Sequence, residues 1–214
     1  MLDIKGVLLD PNDFFRKKTN EKVSLKEPFF IVLINSIIAV ISSMLVMKKV
    51  MTMLPSEIST YMVPGLAVGT IVGIIASFSF WLIFSGIIYV ISSRFNSSGS
   101  FKRTIEFVGY GYIPKAFAAF IGLLVLYLIL PSIDVSTQNS QLMQQSIDQL
   151  ISHNPLLWIY QFVGILCALW SANIWIFATS YARKISVKNA FFSLLIPVGL
   201  ALVYSTYNLV NSIT

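Results

Sequence analysis

Few side chains in these 214 residues could carry bond-making chemistry, and they do not gather in one place. The one histidine, His153, stands in a polar stretch between two apolar runs. A lone loop histidine without partners is usually neither ligand nor pH sensor. The one cysteine, Cys167, falls inside an apolar run, so neither an internal disulfide nor a metal cluster is expected. Metal-dependent membrane hydrolases need sets of His, Asp and Glu, and the acidic residues here are scattered outside the apolar runs. No G-x-S-x-G elbow occurs. The reading is therefore of no catalytic residue, no metal and no cofactor.

What stands out instead is cationic and aromatic. Phe101–Lys115, FKRTIEFVGYGYIPK, is basic, then ring- and glycine-rich, then closed by Pro114 and Lys115, at the edge of an apolar run. Phe14, Phe15, Arg16, Lys17 and Lys18 make a second such cluster near the N-terminus. Rings beside cations suit a membrane surface, where the rings enter the headgroup layer and the cations meet phosphates. The plainer alternative for the N-terminal cluster is a soluble tether with incidental phenylalanines.

The elements that must position these clusters follow from composition. Apolar residues make up 56% of the chain and charged ones 11%, against about 25% charged in a soluble domain. The fold class expected is all-α, a polytopic helical bundle in a bilayer that replaces the missing polar surface. The net charge of +6 flanks apolar runs and forms no soluble basic face, so anionic lipid is a better partner than nucleic acid.

Residues 1–28 form a basic head carrying eleven charges, which argues against a cleaved signal peptide there. Within it, Asp10 suits an N-cap, Pro11 a first helical position, and Asp13 the free amides behind them. Ser24-Leu25-Lys26-Glu27 has capping-box spacing before the first apolar run. Residues 29–214 form the membrane domain, with spans at about 29–47, 64–93, 113–131, 156–182 and 190–210. The second is read as one long tilted helix. Its Gly65, Gly69 and Gly73 recur on one face and predict close packing of a neighbouring helix within the bundle, or alternatively self-association. The polar loop 132–155 holds Leu142, Met143, Ile147, Leu150 and Ile151 at roughly helical spacing, which fits a short amphipathic helix. Gln161, Ser171 and Asn173 fall at membrane depth, where interhelical hydrogen bonding is the simpler expectation and a substrate path the alternative. Pro197 is expected to kink the last span.

Orientation follows from the bases. Twelve Lys and Arg lie in the head and in the second-to-third and fourth-to-fifth loops, against two, Lys48 and Lys49, on the other side. That predicts a cytoplasmic N-terminus and an outside C-terminus across five spans. Lys115 is expected to snorkel to the interface, the alternative being an anion-holding position on a cavity. The third helix is expected to start near Ile113 or Pro114. Phe101–Tyr112 is then a surface lead-in whose Lys102 and Arg103 reach phosphates, with Gly109 and Gly111 freeing the chain to turn and Tyr110 and Tyr112 anchoring the bend.

With five spans in place, the chain resembles the Yip (Ypt-interacting protein) family. The resemblance rests on Asp10-Pro11…Phe14-Phe15, on Phe95…Gly99-Ser100-Phe101, and on Gly109-Tyr110-Gly111-Tyr112-Ile113-Pro114, in that order relative to the spans. It implies a cytosolic N-terminal region, five spans and membrane organisation rather than catalysis. For eukaryotic members it implies vesicle traffic, prenylated Rab-type small GTPases as partners, and assembly with one another. The chain has no Asp-Leu-x-Gly-Pro motif and looks more like prokaryotic members. The location implied is an integral membrane, the cell membrane in a prokaryote or Golgi and ER membranes in a eukaryote.

The function expected is a non-enzymatic scaffold or adaptor holding a partner protein or anionic lipid at its cytoplasmic face. The alternative is a transporter or permease subunit with Lys115 facing a cavity.

Overall fold

The computed structural model describes residues 3–53, 56–132 and 154–213. The expected loop helix and His153 lie outside the described residues. Two short helices open the chain, α1 (Ile4–Leu9) and α2 (Pro11–Thr19), followed by the long α3 (Lys26–Met53) and α4 (Ser56–Ser92). Then come α5 (Phe101–Tyr110), α6 (Ile113–Ile129), α7 (Pro155–Arg183) and α8 (Val187–Ile213). The described residues are helical or loop, without strand.

Local chemistry sets the helix ends. Asp10 caps α2, accepting the Asp13 amide at 3.0 Å, and Pro11 occupies the first turn. Ser100 caps α5 through the Arg103 amide at 3.2 Å, and Asn154 caps α7 through the Leu156 amide at 3.0 Å. These side chains fill amides that a helix start leaves bare. The capping box at Ser24–Glu27 is not used as expected, because the Glu27 carboxylate turns away to Tyr110 and Lys18.

Five helices are long and apolar enough to cross a bilayer: Lys26–Thr52, Val63–Phe95, Ile113–Ser132, Pro155–Arg183 and Val187–Ser212. The second is one continuous helix of 37 residues that carries Pro64 inside it, as its single-helix reading requires. The third reaches 20 residues only with the 3₁₀ turn Leu130–Ser132, or about 30 Å of rise. The most apolar window of α3 is only 17% buried. Isoleucine, valine and phenylalanine cover its outer face and that of α4. A surface of that kind is stable in lipid and not in water.

The five long helices form a ring in the order α4–α3–α6–α7–α8, with α8 returning against α4. Their ends sort by chain direction. Lys26 starts α3 at the end where α5 and the close of α7 lie, and Ser212 near the end of α8 meets Trp158 near the start of α7, Trp158 Nε1 donating to Ser212 O at 2.8 Å. Across the first end lies a second layer, made of α1, α2, α5 and the α7–α8 turn. Where this layer meets the long helices lies a buried cluster, with Val7, Phe15, Phe107 and Tyr110 from the layer and Ile31, Ile113, Ile174 and Ala178 from α3, α6 and α7.

Candidate functional site

The capping layer and the cavity beneath it are where the sequence's basic and aromatic residues come together. Phe15 is completely buried, 4.9 Å from the Phe107 ring and 6.0 Å from Tyr110. Phe14 meets Tyr110 edge-on at 5.1 Å. The Phe15 ring therefore does not enter a headgroup layer. Its burial against α5 removes more apolar area from water than an interfacial position would, and the N-terminal helices dock as part of the fold.

A charged web surrounds that aromatic knot. Tyr110 Oη donates to Glu27 Oε2 at 2.5 Å, and Lys18 Nζ pairs with the same carboxylate at 3.2 Å and with Glu21 at 2.9 Å. Burial works against the charged Lys18 ammonium, but its bonds to Glu21 and Glu27 outweigh burial and raise its pKa. Burial, then the Glu27 bond, push the Tyr110 phenol well above its usual range, so it stays a donor. Arg103 does not reach for phosphate as expected. Its guanidinium turns inward over the Phe107 ring, pairs with Glu106 at 2.9 Å, and donates to the backbone carbonyls of Lys18 at 3.3 Å and Glu21 at 2.5 Å. It ties α5 to the end of α2. Burial lifts the Glu106 carboxyl above its usual range, with the Ser24 amide and the Arg103 charge pulling the other way.

The glycines of the Gly109–Gly111 motif serve close approach rather than turning. No glycine among the described residues has positive φ, and Gly111 sits at φ −67°. A Cβ on Gly109 would come within 2.5 Å of the Pro28 Cβ, and one on Gly111 would strike the Trp175 ring. Trp175 Nε1 in turn donates to Val108 O at 2.8 Å, and Trp81 Nε1 to Ile105 O at 3.1 Å. Two indoles thus hold the carbonyls of α5 from below, and the glycines make room for the contact. Tyr110 is fully buried rather than an interfacial anchor.

Arg183 carries a role that no spacing in the chain announced. It is 2% exposed and bonds Ser92 Oγ at 2.9 Å, Ser93 Oγ at 3.0 Å, Ser97 Oγ and Gly99 O, with its guanidinium 3.9 Å from the centre of the Tyr89 ring. All its partners are neutral. The three serines in the stretch after α4 are the only signal that could have pointed to it. Of the cations in the two basic clusters the sequence singled out, Arg16 and Lys17, 66% and 74% exposed beside Asp13, face out together with Lys102.

Pro114 is buried in the first turn of α6, and Lys115 beside it lines a cavity of about 650 Å³ inside the helix ring. The ammonium lies 5.1 Å from the Trp175 ring and 5.5 Å from the Tyr112 ring. Asn35, Gln161 and Cys167 line the same space. Gly65 and Gly69 meet nothing within 4 Å of where a Cβ would sit, and Gly73 only Val40 at 3.9 Å. The expected close helix contact is therefore not made along that stripe, which instead borders a smaller space against α3. The group of partner and lipid candidates divides accordingly: Phe14, Phe15, Lys18, Arg103, Gly109, Tyr110 and Gly111 build the layer, Tyr112, Pro114 and Lys115 lie beneath it at the start of α6, and Arg16, Lys17 and Lys102 remain on its surface.

Comparison with known proteins agrees with this architecture. An uncharacterized protein of the archaeon Methanocaldococcus jannaschii is 33% identical over 127 residues, covering 59% of this chain and 90% of that protein. No solved structure matches the chain. Residues 5–207 match the Yip1 domain, a stretch that takes in the capping layer, the first four apolar helices and most of the fifth. The chain is an integral membrane protein and belongs to the Yip1 domain family.

Proposed function

We propose that the protein is a non-enzymatic scaffold or adaptor, set in the membrane with its N-terminus in the cytoplasm and its C-terminus outside. The observation that carries this reading is the capping layer. The chain commits residues 3–25 and α5 to a packed platform at one end of the bundle, and its outward side keeps Arg16, Lys17 and Lys102 exposed. A rigid basic platform level with a membrane surface suits an anionic lipid patch or an acidic partner. The positive-inside bias of the same end supports the orientation. An archaeal relative supports a prokaryotic cell membrane as the setting. A small GTPase as partner has only the family resemblance behind it.

Co-purification from native membranes tests the reading. The wild-type chain is expected to carry a partner protein or an enriched anionic lipid, and the triple variant Arg16→Glu, Lys17→Glu, Lys102→Glu to lose it. Lipid and protein content identical in the two samples overturns the platform role. Labelling of cysteines placed at Lys102 and at Asn154 from the two sides of sealed cells tests orientation; reaction of the Lys102 position from outside refutes it. The cavity beside Lys115 favours a second reading, a transport or permease subunit, for which Lys115-dependent flux in proteoliposomes is the required result.

A further inference from the structure

The cavity inside the helix ring is larger than structural packing needs. Its volume of about 650 Å³ lies in the range of ~300–1,000 Å³ typical of small-molecule sites. All five long helices contribute to its wall. Small side chains keep it open: Ala118 and Ala119 on α6, Gly164 and Ala168 on α7. A Leu at any of these positions would fill part of it. Phe80 on α4 forms one lip and is 69% exposed, so the space opens sideways through the wall of the bundle toward the lipid.

The polarity of the cavity is uneven. Lys115, Tyr112 and Asn35 line the end next to α5, where Asn35 Nδ2 donates to Tyr112 O at 3.2 Å, and Ala118, Ala119, Gly164 and Ala168 line the space beyond them. Lys115 forms no ion pair among the described residues; its neighbours are the rings of Trp175 and Tyr112. Ring faces attract an ammonium but carry no counter-charge. A cation on the wall of a cavity between membrane helices ordinarily has an anionic partner or lines a ligand path.

We propose that this cavity binds an anionic amphiphile, with a carboxylate or phosphate head held by Lys115 and an acyl tail running past Ala119 toward the Phe80 opening. The fit is one of charge and shape. A single acid group satisfies the ammonium that the chain itself leaves unpaired, and the tail occupies the apolar remainder. A free inorganic anion has the charge but leaves the apolar part unfilled, and a neutral lipid has the tail but leaves the ammonium unmet. The site lies inside the ring, away from the exposed cations of the platform, and stands or falls separately from any docking there.

The test uses the full chain purified into phosphatidylcholine nanodiscs, with radiolabelled oleate as the probe. Saturable oleate binding is expected, with lysophosphatidate competing and lysophosphatidylcholine and inorganic phosphate failing to compete. Lys115→Gln is expected to weaken oleate binding about tenfold or more, Lys115→Arg to retain most of it, and Ala119→Phe to abolish it with the charge still present. Thermal melting of each variant in the same nanodiscs shows that the bundle is intact. Three results overturn the proposal: no saturable oleate binding, oleyl alcohol binding as well as oleate, or Ala119→Phe binding as well as wild type. Phosphate displacing oleate at equal concentration also overturns it, in favour of a free-anion site.

Discussion

Truncating Phe15 to alanine is the sharpest probe of the capping layer. The ring is fully enclosed, with Phe14, Phe107 and Tyr110 within 6.0 Å. Removing a buried phenylalanine costs about 3–5 kcal/mol, to which each aromatic pair contributes about 0.5–1.5 kcal/mol. The cost falls chiefly on docking of α1 and α2, because Phe15 sits on α2 and its ring partners, Phe14, Phe107 and Tyr110, all belong to the capping layer. Three kilocalories is about two decades in an opening equilibrium. Val7 is also fully buried under the layer, so a Val7→Cys thiol reports its opening directly. Maleimide labelling of that thiol is expected to speed up at least about 100-fold in Phe15→Ala. The unsubstituted chain supplies the background from Cys167, which is buried on α7. Phe30→Ala, at a site 51% exposed on the lipid side of α3, is the control and is expected to change little. A Val7→Cys thiol that reacts as fast as a free one before Phe15 is touched, or a rate that moves less than about threefold afterwards, refutes the docked layer.

Three further outcomes separate this packing from its alternatives. Gly109→Ala and Gly111→Ala force a Cβ into Pro28 and Trp175 and are expected to cost about 1–3 kcal/mol each, while Gly65→Ala and Gly69→Ala, with open space around them, stay within about 0.5 kcal/mol; detergent melting checks the contrast. Arg183→Met strips four neutral acceptors of their donor and is expected to destabilise the protein by about 3 kcal/mol, without rescue in Arg183→Lys, whose single ammonium cannot span Ser92, Ser93, Ser97 and Gly99; denaturant unfolding measures it. Glu106 has a folded pKa raised above 4.5, so the unfolded chain releases its proton first and wild type loses stability as pH rises from there through the folded value. Glu106→Gln, neutral throughout, is therefore expected to gain on wild type over that window, and a pH-independent difference between them refutes the assignment.

The membrane layout was legible because hydropathy reports it directly. A run of apolar residues long enough to cross lipid has few other uses, and the start of α6 at Ile113 and the unbroken α4 were both readable from length. What lay opposite each residue was not. Spacing placed Gly65, Gly69 and Gly73 on one face, but a face does not name its neighbour, and the close approaches fall at Gly109 and Gly111 instead. Arg103 and Arg183 read as surface cations because a charge scale sees the group and not the carbonyls and serines that fold around it. Phe15 reads the same in a headgroup layer or against Phe107, since both environments are apolar. Lys115 reads as a snorkelling residue, but spacing does not show that Trp175 and Tyr112 flank its ammonium on the wall of a cavity.

The docking of the head onto α7 has a consequence for how the chain is made. Trp170 Nε1 donates to Leu8 O at 2.9 Å across 162 residues of sequence, and Tyr181 Oη donates to Asn12 Oδ1 at 2.8 Å across 169. At ~5–20 residues per second, roughly 10–30 s of synthesis separate the first of those partners from the second. The N-terminal helices leave the ribosome first and find their seat only after the fourth membrane helix has been made and inserted. Until then Phe15 can meet Phe107 and Tyr110 of α5, but Leu8 and Asn12 lack their partners on α7 and the seat is incomplete. Its closure marks a bundle that has reached its fourth helix. A chain arrested before that point carries its own unfolded tag.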